Sequence, residues 1–80
     1  MNDLIKNIDK LHTTELGIKR IRKNLMLVSD DVVEWCKRAI MSEDAVVERK
    51  GKNFYITSGI FRFTVNAGSF TIITAHIIRS

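Results

Sequence analysis

The sequence predicts an α+β fold: three N-terminal helices packed on one face of a four-stranded antiparallel meander sheet. Two observations carry this. Up to about residue 44 apolar side chains recur at every third or fourth position, and beyond it short β-branched and aromatic runs alternate with glycine-bearing turns. The 80 residues suffice for one domain, expected to span 1–80 with a helical half (1–44) and a β half (45–80).

Leu4, Ile5, Ile8 and Leu11 at helical spacing predict a first helix over 2–12. Thr13 or Thr14 then offers a hydroxyl to cap a second helix. Its buried stripe is Leu16, Ile21 and Leu25, with Lys19, Arg20, Arg22 and Lys23 outside, and Gly17 weakens it by about 1 kcal/mol relative to Ala. Ser29 is the expected cap of a third helix. Asp30 and Asp31 in its first turn and Lys37 and Arg38 near its end complement the dipole. Val32, Val33, Cys36, Ala39 and Ile40 form its apolar face, with Trp35 as a packing residue at the edge.

Strands are expected at 45–49, 53–57, 60–66 and 70–76, joined by turns at Lys50-Gly51, Ser58-Gly59 and Ala67-Gly68-Ser69. Such short connections exclude parallel crossovers. Two-residue loops at the first two turns and a three-residue loop at the last pair Val47 with Phe54, Tyr55 with Arg62, and Arg62 with Thr74. One face then carries Ala45, Val47, Phe54, Ile56, Phe61, Phe63, Val65, Ile73 and Ala75 and belongs under the helices. The other carries Glu48, Asn53, Tyr55, Thr57, Arg62, Thr64, Asn66, Thr74 and His76, with Val46, Phe70 and Ile72 as apolar intruders.

Thirteen Lys and Arg against nine Asp and Glu leave a formal charge of +4. Residues 1–44 are neutral, with eight of each sign, so the whole excess lies in 45–80; within the first half, 15–25 is +3 and 26–44 is −3. Concentrated positive charge points to an anionic partner. Cys36 is the single cysteine, which excludes an internal disulfide and suits a reducing, cytoplasmic setting. No apolar run approaches the roughly 20 residues of a membrane span, and the first residues do not read as a secretory signal. No Cys/His spacing resembles a metal site, and neither a phosphate-binding glycine loop nor a Gly-x-Ser-x-Gly elbow is present, so no cofactor is expected. Cys36 on a helical apolar face reads as an inert core thiol, and His12 as the end of the first helix.

Glu48, Arg62 and His76 recur every 14 residues on the polar face. A carboxylate, a guanidinium and an imidazole suit metal-independent RNA cleavage. Glu takes the 2′-hydroxyl proton, His protonates the leaving oxygen, and Arg stabilises the phosphorane charge. Tyr55, Thr64, Asn66 and Thr74 are expected to bond phosphate or base. Lys50, Lys52 and the cluster Lys19, Arg20, Arg22 and Lys23 are expected to attract the backbone.

The segments Leu16-Gly17-Ile18-Lys19-Arg20-Ile21-Arg22-Lys23-Asn24-Leu25 and Phe63-Thr64-Val65-Asn66 with Thr71-Ile72-Ile73-Thr74-Ala75-His76 resemble a family of small bacterial proteins catalogued as a domain of unknown function. That resemblance implies no activity. A remoter similarity is to barnase-like ribonucleases and toxin domains, whose Glu, Arg and His on a sheet are matched in order by Glu48, Arg62 and His76. RNA binding on the open sheet face, with cleavage as its enzymatic extension, is the leading functional expectation. The alternative is a non-enzymatic interaction module that self-associates through Phe70 and Ile72 or the C-terminal Ile77 and Ile78. A helix-turn-helix regulator ranks third, because acids at the start of the third helix face DNA phosphates badly.

Overall fold

A computed structural model describes residues 3–78. It has helices α1 (Asp3–Lys6), α2 (Glu15–Leu25) and α3 (Val32–Ile40), followed by strands β1 (Val46–Lys50), β2 (Asn53–Ser58), β3 (Phe61–Asn66) and β4 (Ile72–Ile77). The strands form one antiparallel sheet in the order β1-β2-β3-β4, the α+β meander the sequence predicts. Among the described residues no helix is long and apolar enough to cross a membrane.

The first helix is shorter than expected, and its expected start at residue 2 lies outside the described residues. Asn7 stops it. Its Nδ2 donates to Asp3 O at 2.8 Å, taking the carbonyl that its own amide would use in an α-helix. The Asn7 amide turns to Leu4 O instead, and a 3-10 turn, Ile8–Lys10, follows. His12, expected to end the helix, instead pairs in parallel with Thr71 beside β4. Its amide donates to Phe70 O (3.2 Å) and its carbonyl accepts from Ile72 N (2.8 Å).

Thr14 caps α2 by accepting from Gly17 N at 3.0 Å. Ile21 and Leu25 are buried as expected, but Leu16 is 54% exposed and Ile18 packs on the core in its place. Residues two apart stand about 200° apart around a helix, so Leu16 and Ile18 cannot share a face. Asp31, not Ser29, caps α3: its carboxylate accepts from Glu34 N at 3.0 Å. The Ser29 hydroxyl donates to Asp31 O at 3.4 Å. Helix α2 packs along β4, and α3 packs against α2 and β2.

Every hairpin is shifted by two residues from the expected register, and in the first two the cause is turn chemistry. Gly51 and Gly59 take positive φ (58° and 59°) as the first residue of each turn rather than the second. Each loop therefore moves by one residue, Val47 pairs with Ile56, and Tyr55 pairs with Thr64. A shift of two preserves the faces. The third hairpin reaches the same offset in two single steps. Phe70 in the left-handed region (φ 59°) inserts one extra residue, and a bulge beside Thr64 and Val65 inserts another. Between the two steps the faces are exchanged, so Ile72 is in the core at 2% exposure and Ile73 points out at 51%, the reverse of the expectation. Phe70 is half-buried and stacks on Phe54, with ring centroids 6.5 Å apart.

The core lies between helices and sheet, with Leu4, Cys36, Ile40, Ile56, Phe63 and Val65 as its largest fully buried side chains. Trp35 packs edge-on against Phe61 at 4.9 Å. Burial pushes the Cys36 thiol up to about 12, leaving it protonated and inert at neutral pH.

Candidate nucleic-acid interface

The sheet face away from the helices is open among the described residues. Val46, Glu48, Lys50, Arg62, Ile73, Thr74 and His76 are exposed on it, and Asn53, Tyr55, Thr57, Thr64 and Asn66 are half-buried. The register arranges these side chains in rows. One row runs Glu48, Tyr55, Thr64, Thr74; the next runs Val46, Thr57, Arg62, His76.

Arg62 and His76 are therefore directly opposite each other on β3 and β4, with Cα atoms about 5 Å apart. The expected register placed Thr74 at that position. The two-residue offset sets Arg62 opposite His76 on the face to which the sequence assigns both. Neither forms an ion pair or a side-chain hydrogen bond among the described residues, so their donors face solvent.

Glu48 does not join them. It lies three strands from His76 and one row away, about 16 Å between backbones by strand spacing and rise. Its carboxylate instead faces Lys50 Nζ at 4.0 Å, a solvent-exposed pair worth at most about 1 kcal/mol. Lys50 is thereby partly neutralised, and Lys52, exposed in the β1–β2 turn, forms no ion pair among the described residues.

Tyr55 lies in the centre of the face, with Asn53 Nδ2 at 3.5 Å from its hydroxyl. Thr64 and Thr74 are opposite each other beside the Arg62–His76 pair. Asn66 is committed elsewhere: its Oδ1 accepts from Gly68 N and Ser69 N, both at 2.9 Å, and holds the β3–β4 turn. Only its amide nitrogen remains for a ligand.

A second cationic surface is on α2. Lys19, Arg20, Arg22 and Lys23 are all exposed, and none forms an ion pair among the described residues. Arg22 alone is tied down, donating to Ser29 O at 3.3 Å. Arg20 lies at the groove between α2 and β4, whose lining also includes Thr74 of the open face, so the two surfaces meet around the β4 edge.

Two cations outside the expected set bracket the aromatic end of the core. Arg49 lies 5.4 Å from the Phe54 ring centroid and Lys10 lies 5.9 Å from that of Phe70. Thr57 stands in the Arg62 row, on the face the sequence predicts for it and outside the expected contact set. The exposed Ile73 was missed because a bulge leaves no mark in a period-two pattern. The premise for self-association through Phe70 and Ile72 is absent, since both pack inward. Ile77 is half-buried and Ile78 exposed. Among the described residues no group of three His, Cys, Asp or Glu is placed to hold a metal ion.

Comparison with known proteins gives one family: the model of DUF3781, described as a protein of unknown function, matches residues 5–76. No curated protein and no solved structure matches the chain.

Proposed function

The chain belongs to the DUF3781 family, whose description assigns no activity, and we propose from its surface chemistry that it binds RNA through the open sheet face. The observation that carries this is the Arg62–His76 pair, opposed across two strands with no acidic partner among the described residues. An unpaired guanidinium beside an imidazole, flanked by two threonine hydroxyls and a tyrosine, suits a phosphodiester with a base stacked nearby. The α2 cations extend the positive surface around the β4 edge and supply non-specific attraction.

Cleavage is not part of the proposal. A general base at Glu48 and a general acid at His76 must flank one phosphate, and with β2 and β3 lying between their strands the pairing favours binding over cleavage.

Fluorescence anisotropy with a labelled RNA tests the reading. Arg62→Ala and His76→Ala are each expected to weaken binding severalfold, and Arg38→Ala, on α3 beside the β2–β3 turn and paired with Glu34, is expected to leave it unchanged. With Arg62, Lys19, Arg20 and Lys23 each on a phosphate, log affinity falls against log salt with a slope of about −3. Absence of binding at low salt, or equal loss from Arg38→Ala, contradicts the reading. The same RNA incubated in EDTA with wild type and His76→Ala reports on cleavage: strand scission lost in the variant would restore the enzymatic reading.

A further inference from the structure

Two large apolar side chains, Leu16 of α2 and Ile73 of β4, remain 54% and 51% exposed, and they line the same groove. That groove has a volume of about 410 Å³ and runs between α2 and β4, with Arg20, Thr14, Asn24 and Thr74 also along it. Ile73 is there because the β4 bulge turns it out of the core, and a bulge that re-aims one side chain is a common device beside binding sites. Leu16 is there because it occupies the helix face opposite Ile18.

The polar lining is partly uncommitted. Arg20 has no ion-pair partner among the described residues. Thr14 Oγ1 accepts from Gly17 N at 3.0 Å, which leaves its own O–H to donate. Asn24 Nδ2 donates to Ala75 O at 3.2 Å and closes the groove floor.

Resting on the RNA-binding reading, we infer that this groove receives one nucleotide of a single-stranded RNA. Its base lies between Leu16 and Ile73, and its phosphate meets Arg20. The volume is at the small end of ligand clefts, which run from about 300 Å³, so it holds one unit of a strand and not a helix. Apolar walls with a few polar groups suit an unstacked base. The position fits a strand because the groove joins the two cationic surfaces, sharing Thr74 with the sheet face and Arg20 with the α2 cluster. Bases in an A-form duplex are stacked inward and cannot enter, so the ligand class is unpaired RNA.

Anisotropy with a labelled RNA of about 12 nucleotides, alone and annealed to its complement, tests this. The single strand is expected to bind about tenfold tighter than the duplex, and Leu16→Ser and Ile73→Ser each to remove about tenfold from single-strand affinity while leaving duplex affinity unchanged. Both positions are exposed, so thermal melts of the variants should match wild type. Equal affinity for strand and duplex, or wild-type behaviour of both variants, overturns the groove assignment. If Arg62→Ala still weakens binding in that case, the sheet-face reading stands alone; no binding of either RNA overturns both.

Discussion

Thr13 Oγ1 occupies the space into which any side chain at position 17 would grow. The same oxygen donates to Ile72 O at 3.1 Å, fastening the start of α2 to the outer edge of β4. Gly17 is thus the residue that leaves room for the Thr13 side chain to reach β4, and its low helix propensity is the cost of that space.

Gly17→Ala is therefore expected to destabilise the protein, although Ala gains about 1 kcal/mol in intrinsic helix propensity. Displacing Thr13 breaks its bond to Ile72 and strains the α2–β4 contact, a penalty of about 1–3 kcal/mol of overpacking plus about 1 kcal/mol of lost hydrogen bond. The net loss of about 1–3 kcal/mol is read as a lower urea midpoint. A midpoint raised by the substitution contradicts the crowding of Thr13 against position 17.

Ile72 and Ile73 are adjacent in sequence and opposite in environment because of the β4 bulge. Ile72→Ala, at 2% exposure, is expected to cost about 2–4 kcal/mol as a core truncation. Ile73→Ala is expected to cost less than about 1 kcal/mol. Chemical denaturation of the two variants decides this, and the reverse order would restore the unbulged register.

These cases mark what the sequence makes legible. The helical and strand halves, the three glycine turns and the facing of Arg62, Thr64, Thr74 and His76 follow from period and turn composition. Parity survives a two-residue shift, so faces could be right while partners were wrong. Which position glycine takes in a two-residue turn is a choice between local backbone conformations that composition leaves open, and it set the first two registers; the Phe70 dihedral and the β4 bulge decided that His76 rather than Thr74 stands beside Arg62. The Asn7 break, the Phe70 left-handed residue and the Asp31 cap depend on single hydrogen bonds or single dihedrals, below what periodicity reports. The separation of Glu48 from the other two candidates is a matter of strand order and row, and the equal 14-residue spacing carried no information about it.

Cys36 gives a pH dependence with a definite sign. Its thiol titrates near 12 when folded, because burial disfavours the thiolate, and near the ordinary cysteine value when unfolded. A raised folded value means that the unfolded chain loses its proton first, so this contribution to stability is intact below about pH 8.5 and is lost as pH rises towards 12. The stability of wild type minus that of Cys36→Ala is expected to fall across that window. In the folded protein at pH 8 the thiol should resist iodoacetamide until denaturant is added. Rapid labelling without denaturant, or a stability difference flat in pH, contradicts the buried assignment.

The most direct test of the account is a titration of ¹⁵N-labelled protein with a short unpaired RNA, followed by amide and side-chain shifts. The expected result is a set of perturbations on Tyr55, Arg62, Thr64, Thr74 and His76, continuing over the β4 edge to Arg20, while the amides of α3 stay in place. Shifts confined to α3, or none at all at low salt, would contradict it.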